Sequence, residues 1–110
     1  MIIFKNTYQT ALAMIIRIVR MTFIPDKTDV FLDIFNHSKS DILGMKGCLH
    51  LELWRDLHKQ NVYVTHSHWE SEEALNDYRK SEFFGKVWKQ TKTLFTEKAI
   101  AFSVKRVEGN

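Results

Sequence analysis

Cysteine is nearly absent from the sequence, which holds only one, Cys48, in 110 residues. No disulfide can therefore form within the chain, and the cysteine pairs of zinc fingers are missing as well. A chain without a disulfide framework fits a reducing compartment, so we expect a cytoplasmic protein.

Long apolar runs and glycine-rich loops are missing too. No run of about 18 apolar residues is present, which argues against a membrane-spanning helix. The four glycines do not form a glycine-rich phosphate loop, so a nucleotide or flavin site is not expected.

Charge of one sign is also scarce, since 16 Lys and Arg oppose 13 Asp and Glu for a net charge of +3. The densest basic stretch, residues 86–92, is typical of a solvated helix face. No Lys/Arg block carries interleaved aromatics, so nucleic-acid binding is not expected. What the chain does have is 45% hydrophobic and 13% aromatic residues, which suits one domain with a dense core or an apolar pocket.

The first 13 residues, MIIFKNTYQTALA, read as an addition to the domain. Their apolar part is only residues 2–4, which is too short for a secretory signal. The sequence then restarts at Met14. We expect residues 1–13 to be an appended tail, disordered or made from an upstream start codon, with an ordered extra strand as the alternative. The domain itself is predicted to span residues 14–107.

Hydrophobic periodicity predicts seven elements in the domain. Strands are expected at 15–23, 48–55, 62–69 and 99–107, with a turn at 56–61 between the middle two. One helix is expected from Asp26 or Thr28 to Gly44, and two shorter ones are capped by Ser71 and Ser81. The order predicts an α+β, ferredoxin-like βαββαβ subunit, an antiparallel sheet with helices on one face.

Alternation along the middle strands predicts two different sheet faces. Toward the helices we expect Leu49, Leu51, Leu53, Val62 and Val64. The opposite face is expected to combine Cys48, His50, Glu52 and Trp54 with Tyr63, Thr65, Ser67 and Trp69, extended by Val19, Met21 and Phe23. A face that is both aromatic and polar favours a pocket or a partner interface.

The stretch THSHWES, residues 65–71, raises the question of a metal site. His66 and His68 are close enough for their rings to converge, but the parity sends both to the helix side, away from His50. With too few further ligands, no metal is expected, and a metal protein through His66 and His68 stays the weaker alternative. His50 and Glu52 form a candidate proton-transfer pair, with a cross-strand polar pair or an interface salt bridge as the alternative.

Three stretches resemble the antibiotic biosynthesis monooxygenase family: RIVRMTFIPDKTDVFLDIF (17–35), GCLHLELWRD (47–56) and YVTHSHWESEEALNDYRKSEFF (63–84). The resemblance covers about residues 14–105. It implies a subunit that pairs into a homodimeric α/β barrel through its bare sheet faces. Several members oxidise polyphenols and quinols with molecular oxygen and use no metal, flavin or nicotinamide. Haem-degrading members use an Asn, a Trp and a His; only the Trp matches, at Trp69, while Val19 and Trp88 stand at or near the other positions, so haem degradation is not expected.

We therefore expect a homodimeric monooxygenase without a cofactor, acting on a small aromatic quinol or polyphenol. The expected catalytic residues are His50 as base, Glu52 as its assisting group, and Trp69. The expected substrate-binding residues are Trp54, Tyr63, Thr65, Ser67, Val19, Phe23 and Trp88. The alternative is a dimeric protein of the same fold that binds a small ligand or serves in a stress response without catalysis.

Overall fold

Four strands and three α-helices follow one another in the predicted order. The computed structural model describes residues 14–109, so the expected tail at 1–13 lies outside the described residues. The elements are β1 (Ile15–Thr22), α1 (Thr28–Leu43), β2 (Cys48–Arg55), β3 (Val62–Trp69), α2 (Glu72–Lys80), α3 (Glu82–Lys92) and β4 (Ile100–Lys105). A 3-10 turn, Pro25–Lys27, leads into α1.

The strands form one antiparallel sheet in the order β2-β3-β1-β4. The helices pack on one face of this sheet, where residues of all three share contacts with β1 and β3. This arrangement confirms the ferredoxin-like α+β prediction. Within residues 14–109, no helix combines the length and the apolar character needed to cross a membrane.

The helix starts agree with the sequence prediction at two of three places. The Ser71 hydroxyl accepts the Ala74 N–H at 3.0 Å, and the Ser81 hydroxyl accepts the Phe84 N–H at 3.1 Å. At α1 the predicted cap is wrong, because Lys27 occupies the N-cap position and no side chain caps the helix. The 3-10 turn that begins at Pro25 leads directly into the helix instead.

Two buried clusters hold the helices on the sheet. One contains Met21, Phe23, Phe31 and Tyr63, and the Phe23 and Phe31 rings stack with their centroids 4.2 Å apart. The other is built on Trp69 and the start of α2. Because close-packed aromatic cores resist changes of volume, these clusters fix the distance between helices and sheet.

The strand register shows which side of the sheet each residue of β2 and β3 faces, and it corrects the prediction for β3. Residues directly opposite each other in an antiparallel pair project to the same face. Leu51 lies opposite Ser67 and Leu53 opposite Thr65, whereas Glu52 lies opposite His66. The prediction for Leu51 and Leu53 was right, but the faces of β3 are the reverse of those predicted. Val19, Met21 and Phe23, predicted on the face away from the helices, lie on the helix side as well.

On β3, therefore, Tyr63, Thr65, Ser67 and Trp69 face the helices, and Val64, His66 and His68 face away. We call the side without helices the open face. It is formed by His50, Glu52, Trp54, Val64, His66 and His68 together with Ile16, Ile18, Arg20, Ile100, Phe102 and Val104.

A β-bulge at the start of β2 explains a second difference between the predicted and the observed sheet faces. The register shifts between Cys48 and His50, so Cys48 lies opposite Trp69 and packs against it on the helix side. Leu49, predicted to face the helices, is exposed. One extra residue reverses the alternation locally, which a strict period of two does not predict.

Candidate functional site

A cavity of about 240 Å³ lies between the three helices and the helix side of the sheet. Its walls are mainly apolar and aromatic; they include Val19, Met21, Phe31, Phe35, Leu51, Trp69, Leu75, Tyr78, Phe84, Val87 and Trp88. Ligand sites commonly measure about 300–1,000 Å³, so this cavity suits a small ligand.

Aromatic pairs give the cavity flat walls. The Trp69 and Tyr78 rings stack with centroids 4.9 Å apart, and the Phe84 and Trp88 rings are nearly parallel at 5.9 Å. The Trp69 indole N–H donates to the Ser67 hydroxyl at 2.9 Å, which satisfies a fully buried donor. Stacking and this hydrogen bond together hold Trp69 in one orientation, and flat walls favour a planar ligand.

Two arginines, Arg17 on β1 and Arg79 on α2, line this aromatic cavity. Burial lowers the pKa of the Arg17 guanidinium, and the positive charge of Arg79 lowers it further. Arg17 donates to the Ser103 hydroxyl at 3.1 Å, and the salt bridges found within residues 14–109 involve neither arginine. Since arginine keeps its proton in proteins, Arg17 and the exposed Arg79 each bring a positive charge to the cavity wall.

The hydroxyls around the cavity are neutral. Ser38 and Thr91 each donate to a backbone carbonyl one helical turn earlier, at 2.7 and 2.8 Å. Burial raises the pKa of Tyr78 far above its ordinary range, so its phenol keeps the proton. Among residues 14–109, those that line the cavity include no histidine, aspartate or glutamate.

The structure places the predicted site residues in three different surroundings. Val19, Thr65, Ser67, Trp69 and Trp88 line the cavity. Phe23 and Tyr63 lie in the core cluster beside it. His50, Glu52 and Trp54 lie on the open face, on the other side of the sheet. The predicted single pocket therefore divides into two sites, and His50 is not brought together with Trp69.

Sequence reasoning missed Arg17 and Arg79. A signal for Arg17 was available, because it is the one charged residue among the alternate positions Ile15, Arg17, Val19 and Met21. Charged residues are rare on a buried strand face, so a charged residue among apolar ones indicates that a pocket lies against that face. Arg79 offered no such signal, since exposed arginines are common in the last turn of a helix.

The open face carries a polar cluster of its own, which we call the histidine cluster: His50, Glu52, His66 and His68. His50 Nε2 lies 2.7 Å from Glu52 Oε2, and His66 Nε2 lies 3.2 Å from His68 Nε2. The Trp54 indole N–H donates to Glu52 Oε1 at 2.7 Å, and its ring stacks on His66 at 4.4 Å. The hydrogen bonds from Trp54 and His50 lower the pKa of Glu52. The predicted His50–Glu52 pair thus exists, but it faces away from the cavity.

The fold and the cavity define a ferredoxin-like subunit with an aromatic cavity between its helices and its sheet. The model of the antibiotic biosynthesis monooxygenase family matches residues 14–90, and the chain belongs to this family. Among curated proteins, none is detectably similar to the chain.

Solved structures share the fold over nearly their whole length. A conserved protein from Methanosarcina mazei Go1 superposes with a TM-score of 0.86 at 14% identity, covering 90% of this chain and 98% of that one. An antibiotic biosynthesis monooxygenase gives 0.80 at 16%, covering 86% and 99%. Rv0793 from Mycobacterium tuberculosis gives 0.80 at 17%, covering 87% and 97%. At these identities the likeness establishes the fold.

Proposed function

We propose that the protein is a monooxygenase that oxidises a small planar aromatic molecule with an acidic hydroxyl, a quinol or polyphenol, by molecular oxygen. The observation that carries this proposal is the placement of Arg17 and Arg79 in an aromatic cavity without a carboxylate partner among residues 14–109. Aromatic walls bind the ring, and a positive potential favours the ionised hydroxyl. Membership of a monooxygenase family supports the same reaction class.

The arginine charges are proposed to act on the substrate hydroxyl directly, since the cavity-lining residues within 14–109 include no histidine, aspartate or glutamate that could take its proton. A cation near a phenolic hydroxyl lowers its pKa, so a larger share of the bound substrate is the electron-rich anion. The released proton passes to water. Fixed positive charge also stabilises the negative charge that develops on oxygen as it accepts electrons.

The substrate itself supplies the electrons in the proposed reaction. A phenol and one molecule of oxygen give a quinone and water: one oxygen atom becomes the new carbonyl, and the other leaves as water. The ring loses four electrons and two hydrogens, so no separate reductant is required. Oxidation without a bound cofactor is part of the proposal, which rests here on the family resemblance.

His50 and Glu52 do not enter this reaction, because the sheet separates them from the cavity. Their predicted roles as base and assisting group apply only to a ligand on the open face. Trp69 lines the cavity and is held by its hydrogen bond to Ser67, which supports a role as a fixed wall against the bound ring. If His50 were the catalytic base instead, His50→Ala would lose oxygen uptake, so this variant tests the competing assignment.

Oxygen uptake by the purified protein tests the proposal. The assay uses reduced naphthoquinols and polyphenols with a chelator and no added cofactor. We expect uptake above the autoxidation rate, and a fall in kcat/KM of about tenfold or more in Arg17→Gln, the usual effect of losing a charged hydrogen-bond donor. Arg20→Gln, on the open face of the same strand, is the matched control and should match the wild type.

Equal losses in Arg17→Gln and Arg20→Gln would contradict the cavity as the site of reaction. Loss of uptake in His50→Ala with an unchanged rate in Arg17→Gln would move the reaction to the open face. Both outcomes require that the variants unfold at the same urea concentration as the wild type.

A second candidate function is ligand binding without catalysis. The lack of any side chain around the cavity that titrates near neutral pH favours it. A binder should show quenching of Trp69 and Trp88 fluorescence by the same aromatics, weakened by Arg17→Gln, and no oxygen uptake above the blank. Oxygen uptake therefore separates the two candidates.

The protein is proposed to form a homodimer joined through the open face, and because the cavity lies within one subunit, the oxygenase proposal does not depend on this assembly. Large apolar side chains of β4, together with Trp54, are exposed on that face. Isolated subunits rarely expose a contiguous apolar strip of this kind. A second copy of the chain is the proposed occupant, as the family resemblance implies.

A further inference from the structure

The histidine cluster consists of two cross-strand pairs on one face of the sheet. His50 lies opposite His68, and Glu52 lies opposite His66, on neighbouring strands β2 and β3. Directly opposite side chains have Cβ atoms about 4.5–5.5 Å apart. The four side chains therefore form a compact square that is fixed by the strand register, not by a flexible loop.

The possible ligand atoms in this square lie close together. His50, Glu52 and His66 each offer one within 4.8 Å of the others. His68 Nε2 lies 3.2 Å from His66 Nε2. Ligands at about 2.0–2.1 Å from a tetrahedral metal are separated by about 3.3 Å. The Nε2 atoms of His66 and His68 are already at nearly this spacing, and the ligand atoms of His50, Glu52 and His66 lie within 4.8 Å of one another.

The hydrogen bonding of His66 points to a missing partner. Its Nδ1 is buried and has no hydrogen-bond partner among residues 14–109, while its Nε2 shares a hydrogen bond with His68 Nε2. Buried ring nitrogens normally find a partner. At 3.2 Å the Nε2 atoms of His66 and His68 share one hydrogen bond, and both become available to a metal ion when that bond is broken.

We propose that His50, Glu52, His66 and His68 bind one divalent transition metal ion of the first row, such as zinc. Three imidazole nitrogens and one carboxylate oxygen suit zinc, cobalt, nickel or copper, and not magnesium or calcium, which prefer oxygen ligands alone. The site is separate from the oxygenase proposal, because the sheet lies between the histidine cluster and the cavity.

Trp54 gives the cluster the outer support that metal ligands usually have. Its indole N–H holds Glu52 Oε1, which leaves Oε2 directed at His50, and its ring stacks on His66. Such contacts orient ligands before the metal arrives. The sequence-based expectation of no metal depended on His50 lying across the sheet from His66 and His68, and the register places all three on one face.

Zinc titration against a competing chromophoric chelator tests the site, with untagged protein freed of metal by dialysis. We expect one equivalent per chain. Glu52→Gln and His66→Asn should each weaken the affinity for zinc by about tenfold or more. His37→Asn and His58→Asn, which alter exposed histidines outside the cluster, are matched controls and should bind like the wild type.

Fluorescence gives a second readout that does not depend on stoichiometry. Bound copper or cobalt should quench Trp54, which contacts two of the ligands, and Trp54→Phe should abolish most of the quenching, since Trp69 and Trp88 line the cavity on the other side. Glu52 is exposed, so its variant should fold even where His66→Asn does not. Absence of a zinc equivalent in the wild type, or equal loss in the control variants, would overturn the proposal.

Discussion

Gly47 occupies the only left-handed backbone position within residues 14–109, with φ of +84°. A Cβ there would lie 2.5 Å from the Ala74 Cβ and 3.0 Å from the Glu70 Cγ. Its carbonyl accepts the Glu70 N–H at 2.8 Å, which ties the turn before β2 to the turn before α2. Gly47→Ala should lower the free energy of unfolding by about 2–4 kcal/mol, because the backbone strain and the overlap add. Urea denaturation measures this.

Gly85→Ala is the control for that substitution. A Cβ at Gly85, inside α3, meets nothing within 4 Å. Alanine in a helix interior is better than glycine by about 0.5–1 kcal/mol, so this variant should be more stable than the wild type. If both variants changed stability in the same direction, the strain assigned to Gly47 would be wrong.

Arg17 makes a prediction about pH that a structural role alone would not. If its charge lowers the pKa of a bound hydroxyl, oxygen uptake rises with pH around a midpoint below the pKa of the substrate in solution. Arg17→Gln should move that midpoint to higher pH, and Arg20→Gln should leave it in place. The measurement is kcat across pH for one substrate, because kcat reports the pKa values of the bound complex. A midpoint that stays constant in Arg17→Gln would show that the charge does not act on the hydroxyl.

At the scale of elements, the order of strands and helices was predictable because each pattern is local. Leu51 and Leu53 occupy alternate positions along β2, and the hydroxyl groups of Ser71 and Ser81 cap α2 and α3. These signals depend on neighbours within one turn or one pleat, so they survive without knowledge of the rest of the chain. The element types were therefore predicted correctly, and only the cap of α1 was not.

The faces of β3 were not predictable in the same way. Val62 and Val64 are apolar on one parity, but Tyr63 and Trp69 are large and apolar on the other. A shift of one residue in register exchanges the two faces of a strand, and the register is set by the turn at 56–61 and by the bulge at Cys48. The prediction followed the valines, whereas burial of the larger aromatic side chains decided the outcome.

Asp56 holds the turn that sets this register and gives it a pH dependence. Its carboxylate accepts the backbone N–H of His58 at 2.8 Å and of Lys59 at 2.9 Å. These bonds lower the pKa of Asp56 below its ordinary value of 3.8. A lowered pKa in the folded state means that the stabilisation is present above the unfolded pKa and is lost as the pH falls through the folded value.

Asp56→Asn should therefore lose less stability than the wild type when the pH is lowered from about 5 toward 2. The urea midpoint measured at several pH values checks this. Asp41→Asn, an exposed position on α1, is the matched control. Parallel curves for wild type and Asp56→Asn would mean that these hydrogen bonds do not contribute to folding in solution.

At the scale of the whole molecule, the sheet separates two kinds of chemistry. The helix side holds an aromatic cavity with arginines, and the open face holds the histidine cluster beside exposed apolar strands. Arg17 and Arg79 are separated by 62 positions in the sequence (79 − 17), and no local pattern brings them together. Only the packing of α2 over β1 does so, which is why the candidate site was less predictable than the fold.

The open face also decides the proposed assembly. Phe102 is 46% exposed at the centre of β4, so its substitution removes few contacts within an isolated subunit. In a dimer joined through this face the same ring is buried, and a charge there costs binding energy. Phe102→Glu should therefore raise the dimer dissociation constant by about tenfold or more without lowering the stability of the subunit.

Light scattering across a range of concentrations measures this directly, since the dimer has twice the mass of one chain. Leu57→Glu is the matched control, because Leu57 is 89% exposed in the hairpin turn and lies outside the open face. If the wild type were a monomer, or if Leu57→Glu dissociated the dimer as readily as Phe102→Glu, the open face would not be the interface. The cavity, which lies within one subunit, would remain intact in either case, so oxygen uptake by a Phe102→Glu monomer separates assembly from catalysis.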